Sequence, residues 1–119
     1  MAYVDGFALP LPKANLDRYR EMAELSATVW REHGALEYRE CIADDVKPGK
    51  LTSFPQSVDL QEGETVVFAW IVYESRARRD EVNDKVMKDP RLAPMMSPDG
   101  LPFDGKRMFW GGFEMFVDR

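Results

Sequence analysis

The segment that most constrains the fold is residues 65–74, TVVFAWIVYE, because it is apolar on both sides of an extended chain. β-Branched and aromatic residues dominate it, which is typical of a strand. Successive side chains of a strand point to opposite faces, so both faces of this strand must be covered. The segment therefore predicts a central strand in a sheet whose two sides are both shielded from water.

Residues 107–118, RMFWGGFEMFVD, show the same property near the end of the chain. Alternation places Phe109 and Phe113 on one face, and Met108 and Trp110 on the other. We therefore expect a closing strand that also needs cover on each side.

Proline, glycine and helix-capping residues divide the rest of the chain into elements. The predicted elements are a strand at 2–10, a helix from Asn15 to Gly34, strands at 35–43 and 65–74, a helix at 76–89 capped by Ser75, and a strand at 107–118. Residues 44–64 are polar and rich in turn formers, so we expect at most a short extended piece there. Turns are expected at 90–106, where the chain carries Pro90, Pro94, Pro98 and Pro102.

This order predicts an α+β, ferredoxin-like βαββαβ fold with a four-stranded antiparallel sheet. Right-handed crossovers place both helices on one face of the sheet and leave the other face open. Small residues let helices approach closely, and on that basis Val4, Gly6 and Ala8 are expected to face the helices. The residues expected on the open face are Tyr3, Asp5, Phe7, Phe68 and Trp70.

An open face with so many aromatic residues must be covered by a partner. RNA-recognition motifs stack bases on such a face, and AYVDGF and FAWIVY resemble their two short signatures. Val66 and Val67, however, replace the basic residue and the glycine of that pattern, and the net charge of −5 opposes phosphate binding. We therefore expect no nucleic acid, and favour a homodimer in which two open faces pack together.

The composition is that of one small globular domain spanning residues 1–119. The absence of a long apolar run predicts no contact with a membrane. With Cys41 as the only cysteine, no internal disulfide can form, which suits the reducing cytoplasm. We expect Cys41 to be a small buried residue, and His33, at the end of the first helix, to be structural. No metal-binding spacing is present, and neither a metal nor another cofactor is expected.

Five segments of the chain resemble, in order, the successive motifs of the YbaA-like bacterial family known as domain of unknown function 1428. They are YVDGFALPLP, HGALEYREC, DDVKPGKLTSFP, RARRDEVNDKVMKDPRL and PFDGKRMFWGGFE. The resemblance implies a dimeric α+β barrel like that of the antibiotic-biosynthesis monooxygenases. It implies no particular reaction, since a shared fold does not specify chemistry.

Two carboxylates stand in strands that are otherwise apolar or small, namely Asp5 and Glu114. Such surroundings raise the pKa of a carboxyl group into the range useful for proton transfer, which makes both residues catalytic candidates. The alternative is that each is a strand-end charge that reaches water or an arginine. Candidate substrate-binding residues are Tyr3, Phe7, Trp70, Trp110 and Arg79, the last as part of an anion site with Lys106 and Arg107.

From the sequence we therefore expect a homodimeric cytoplasmic protein that binds a small organic molecule. The alternative from another class is a cofactor-independent monooxygenase- or isomerase-like enzyme, with Asp5 or Glu114 as its base and Trp70 as a wall of its pocket. RNA binding on the sheet face is the third and weakest hypothesis.

Overall fold

The computed structural model describes residues 1–97 and 99–119, so the predicted turn at Pro98 lies outside the described residues. Four strands form one antiparallel sheet in the order β2-β3-β1-β4, and this confirms the ferredoxin-like α+β prediction. The strands are β1 (Tyr3–Pro12), β2 (Glu37–Ile42), β3 (Glu64–Tyr73) and β4 (Phe109–Glu114). The helices are α1 (Leu16–His33), the short α2 (Phe54–Ser57) and α3 (Arg76–Met87), with 3₁₀ helices at Lys13–Asn15 and Pro90–Met96.

The two central strands, β1 and β3, pair along ten residues, from Tyr3 opposite Tyr73 to Pro12 opposite Glu64. This pairing confirms that residues 65–74 form a central strand. The closing strand is shorter than predicted, because β1 begins at Tyr3 and offers no partner beyond Glu114. The chain then leaves the sheet after one more hydrogen bond, from the amide of Met115 to the carbonyl of Ala2.

The helix termini follow the predicted signals with one exception. Gly34 ends α1 with φ of +123°, a conformation that residues with a Cβ rarely adopt. The Ser75 hydroxyl accepts a hydrogen bond from the amide of Arg78 and so caps α3. Asn15 precedes α1 but does not cap it, because its side-chain amide instead donates to the carbonyl of Pro102 at 2.7 Å.

The predicted assignment of β1 side chains to the two faces of the sheet is wrong. Tyr3, Asp5 and Phe7 face the helices, as Arg79 of α3 contacts both Tyr3 and Asp5. Val4, Gly6 and Ala8 lie on the opposite, open face. The prediction matched small residues to close helices, whereas the helices stand off from this part of the sheet and leave a space that Asp5 and Phe7 line. Gly6 pairs with Trp70 of β3 on one side and with Gly111 of β4 on the other.

The chain itself covers one end of the open face. The segment between β2 and β3 folds back over it, and Val58 is buried against Ala8 and Val66. The predicted extended piece in this segment is wrong, because Ser53 caps the short helix α2 by accepting from the amide of Gln56. The rest of the face keeps exposed aromatic side chains, namely Phe68 (42%), Phe109 (48%) and Phe113 (62%).

Candidate functional site

A cavity of about 340 Å³ lies between the helix-covered face of the sheet and the layer above it. Helices α1 and α3, the 3₁₀ helix Pro90–Met96 and the segment that leads into β4 form that layer. We call this space the sheet–helix cavity. Its lining is mostly apolar and includes five of the seven methionines: Met22, Met87, Met95, Met96 and Met108. Such flexible thioether side chains adapt to ligands of different shape.

The first polar group on the cavity wall is what we call the Glu40 cluster, formed by Glu40, Tyr19 and Tyr38. The Tyr19 hydroxyl donates to Oε1 of Glu40 at 2.7 Å, and the Tyr38 hydroxyl donates to Oε2 at 2.8 Å. Burial raises the pKa of Glu40 above its usual value, and the two hydrogen bonds oppose this rise without cancelling it. In the described part of the chain, Glu40 forms no ion pair.

Burial and the nearby carboxylate also raise the pKa of both tyrosines in this cluster. Tyr19 and Tyr38 therefore stay protonated at neutral pH and act as hydrogen-bond donors. Tyr38 and Glu40 stand two residues apart on β2, so both face the helices, and Tyr19 comes from the first turns of α1. The cluster is thus assembled from two elements that pack against each other.

The second polar group is the Asp5 cluster, formed by Asp5, Arg79 and Tyr3. Asp5 is only 1% exposed and accepts a hydrogen bond from Nη1 of Arg79 at 2.9 Å. The guanidinium carbon of Arg79 lies 5.0 Å from the centre of the Tyr3 ring, a cation–π contact. Burial raises the pKa of Asp5 above its usual value, and the opposing effects of Arg79, Tyr73 and Asn83 do not cancel this rise.

The structure brings together some of the predicted site residues and separates others. Asp5, Phe7 and Trp110 line the sheet–helix cavity, where the Phe7 and Trp110 rings stack at 6.2 Å. Arg79 adjoins it through its contact with Asp5, and Tyr3 in turn contacts Arg79. Two candidates lie elsewhere. Trp70 is on the open face of the sheet, against Phe68, and Glu114 is exposed at the end of β4.

The predicted anion site of Arg79 with Lys106 and Arg107 is not assembled. Arg107 forms ion pairs with Glu64 at 2.7 Å and with Asp104 at 3.0 Å. Glu64 pairs with Pro12, at the opposite end of β1 from Tyr3 and Arg79. The two groups of basic residues are therefore held apart by the length of a ten-residue strand.

The sequence interpretation overlooked Glu40, although a signal was present. Within residues 35–43, Tyr38, Glu40 and Ile42 share one side of the strand, so that a carboxylate stands between two largely apolar side chains. Cys41 points the other way and is exposed, which overturns its predicted burial. The reason is its place on an edge strand, on the face that carries no helix.

Metal sites and membrane-spanning helices are two further features that bear on function. Within residues 1–97 and 99–119, no three His, Cys, Asp or Glu side chains form a group suited to a metal ion. Among the described helices, none is long and apolar enough to cross a membrane. His33, at the end of α1, lies with Nε2 2.9 Å from Oδ2 of Asp89, a contact that joins α1 to the segment after α3.

Comparison with known sequences places this architecture in a family. Residues 2–105 match the family described as "Protein of unknown function (DUF1428)". The chain is 48% identical over 118 residues to the protein named "Uncharacterized protein YbaA" of Escherichia coli strain K12, covering 99% of both sequences. The protein of the same name from Shigella flexneri shows the same identity and coverage. The chain therefore belongs to the DUF1428 family.

Proposed function

We propose that this protein binds a small organic molecule in the sheet–helix cavity. The observation that carries the proposal is the cavity itself, which combines an apolar lining with polar groups at its edges. A volume of about 340 Å³ suits a compact molecule of one or two rings, at the lower end of the usual range for ligand sites. The polar groups would orient the ligand and the apolar wall would supply affinity.

The test compares two variants that enlarge a buried alanine. Ala69→Leu places additional carbon atoms in the cavity, because Ala69 lies on the helix-facing side of β3, whereas Ala8→Leu adds them on the open face. Both substitutions add the same side-chain volume at a buried alanine, 3% exposed at position 8 and 5% at position 69. We expect native mass spectrometry of the purified protein to find a compound retained by the wild type and by Ala8→Leu, and lost from Ala69→Leu. Equal retention by both variants would contradict binding in this cavity.

We also propose that the protein acts as a homodimer whose subunits pack through their open faces. Phe68, Phe109 and Phe113 support this because they leave a contiguous apolar surface on one subunit. The net charge of −5 makes RNA an unfavourable alternative occupant of this surface. A two-fold axis would let the same aromatic residues of each copy cover those of the other.

Trp70→Glu is the variant that tests the dimer. It removes an aromatic contact and places a charge in the proposed apolar interface, which together oppose association by about 2–4 kcal/mol. Leu51→Glu is the control, because it adds the same charge at a residue that is 91% exposed on a loop. Light scattering should report a dimer for the wild type and for the control, and a monomer for Trp70→Glu. A monomeric wild type would contradict the proposal.

A further inference from the structure

The Glu40 cluster forms a wall shared by two cavities. A groove of about 290 Å³ lies between α1 and β2, on the far side of the cluster from the sheet–helix cavity. Glu40, Tyr19 and Tyr38 line both spaces. One side of the carboxylate therefore faces the proposed ligand, and the other faces a groove through which protons can exchange with solvent.

The chemistry of the cluster suits a base. Each carboxylate oxygen of Glu40 accepts one tyrosine hydrogen bond, and each retains a free lone pair. The hydrogen bonds fix the orientation of the carboxylate, and the missing counter-ion leaves its negative charge available. A partly buried carboxylate with these properties is more basic than one in water.

We propose that Glu40 is the base of a cofactor-independent proton transfer from an acidic C–H bond of a small neutral molecule bound in the sheet–helix cavity. Tyr19 and Tyr38 are positioning residues, since they act through the Glu40 carboxylate. The proposal rests on the proposed function, because the substrate must occupy that cavity.

The lining of the cavity argues for a neutral substrate. Among its described residues there is no lysine, arginine or histidine, whereas Asp5 and Glu40 both contribute carboxyl groups. Arg79 balances the charge of Asp5, but the Glu40 carboxylate forms no ion pair among the described residues and would repel an anionic molecule. A neutral, mostly apolar compound with a C–H bond next to a carbonyl group fits both the wall and the base.

The reaction balances without a further reagent. The carboxylate of Glu40 takes the proton, and the electron pair of the C–H bond moves onto the carbonyl oxygen to give an enolate. In a β,γ-unsaturated carbonyl compound this enolate is a dienolate, and return of the same proton to the γ-carbon moves the double bond, yields the α,β-unsaturated isomer and restores the carboxylate. The class of reaction is therefore an isomerisation by proton transfer.

Charged and titratable groups on every neighbouring element bear on the pH dependence of this step. To the two linings, β3 contributes only the apolar Val67, Ala69 and Ile71. The titratable groups on α1 are Tyr19, Arg20 and Glu24. Those on β2 are Tyr38 and Cys41, and Asp5 of β1 also lines the sheet–helix cavity. Only the two tyrosines hydrogen-bond to Glu40, so their removal is the cleanest way to change its protonation.

The test uses 5-nitrobenzisoxazole, a neutral two-ring compound with one acidic C–H bond. A base takes that proton, the C–H electron pair forms a carbon–nitrogen triple bond, and the N–O bond breaks to release a yellow nitrophenolate. We expect the wild type to accelerate this reaction and Glu40→Gln to lose about 100-fold or more in rate. Glu37→Gln is the matched control, because Glu37 lies on the same strand but pairs with Arg39 outside the cavity. Its rate should equal that of the wild type.

Tyr19→Phe gives a readout that a merely structural role would not change. Removing this hydrogen bond takes away an interaction that lowers the pKa of Glu40. The increase of the rate with pH should therefore occur at a higher pH in the variant than in the wild type. An unshifted profile would contradict the proposed role of Glu40. If Glu40→Gln fails to fold, Glu40→Asp withdraws the carboxylate by one methylene and should also lose rate.

Binding is measured separately by calorimetry with 5-nitroindole, an unreactive compound of similar shape. Binding by the wild type and by Glu40→Gln, with turnover only by the wild type, supports the inference. If the wild type binds 5-nitroindole but its turnover is absent or unchanged in Glu40→Gln, the inference is overturned and the proposed function stays intact. If the wild type binds neither compound, the inference and the proposed function are both overturned. The same follows if Ala69→Leu does not weaken the binding.

Discussion

Asp5 and Glu40 stand on the same face of one sheet and adjoin the same cavity, yet their environments differ in one decisive respect. Asp5 has a guanidinium within hydrogen-bond distance, whereas Glu40 is held only by two neutral hydroxyl groups. The counter-charge ties Asp5 to α3 and neutralises it. Burial alone therefore does not distinguish a structural carboxylate from a reactive one, and the partner of each group must be considered.

The largest effect should come from Arg79→Met, which leaves Asp5 buried without its cation. Breaking a buried ion pair by removing one partner costs about 3–5 kcal/mol. We expect urea unfolding at pH 7 to show a loss of this size, and the double variant Asp5→Asn/Arg79→Met to recover most of it. The loss should shrink toward acid pH, where Asp5 takes up a proton. If Arg79→Met alone were as stable as the wild type, the ion pair would not distinguish the Asp5 cluster from the Glu40 cluster.

A smaller effect of opposite sign is expected for Glu40→Gln. The pKa of Glu40 is raised in the folded state, so its charge costs stability once the pH exceeds the pKa of the unfolded chain. Replacing the carboxyl by an uncharged amide should therefore stabilise the protein at neutral pH, by less than Arg79→Met destabilises it. The gain should disappear below about pH 4, where an ordinary glutamate is itself protonated.

Thermal unfolding from pH 4 to pH 8 measures this effect, with Glu37→Gln as the control. A destabilised Glu40→Gln at neutral pH would mean that the carboxylate stabilises the fold. In that case Glu40 would resemble Asp5, and the comparison between the two clusters would fail.

The smallest effect is expected for Glu114→Gln. The sequence offers Glu114 as an alternative to Asp5 for the catalytic base, but Glu114 is exposed at the end of β4. Surface substitutions of this kind change the free energy of unfolding by less than about 0.5 kcal/mol. Chemical denaturation across the same pH range checks this, and a strong pH-dependent change would place Glu114 with the two interior carboxylates.

The element order was predictable because proline, glycine and capping residues act locally. Asn15 shows where local rules end, since its amide reaches Pro102, which lies 87 residues further along the chain. The two faces of β1 were misassigned because size alone does not reveal what packs on each side. Asp5 and Phe7 face the helices because a space lies there, and that space depends on how distant helices pack over the sheet.

The candidate site was only partly predictable for the same physical reason. Asp5, Phe7 and Trp110 could be selected because a carboxylate or large aromatic residue stands out within a short strand. The Glu40 cluster could not be assembled in advance, because Tyr19 reaches Glu40 across the contact between α1 and β2. The open face and its proposed partner depend on a second molecule, which the pattern of one chain can suggest only through exposed aromatic residues.

The thioether-rich wall of the cavity has a consequence for the thermodynamics of any ligand. An unoccupied pocket lined by methionines keeps much of its side-chain motion, and a bound molecule must suppress it. Each immobilised side chain of this kind costs about 0.5–1.5 kcal/mol of conformational entropy. Five such residues surround this space. Affinity should accordingly be modest for any one compound, and chemically related molecules of different outline should compete for the same space with similar dissociation constants.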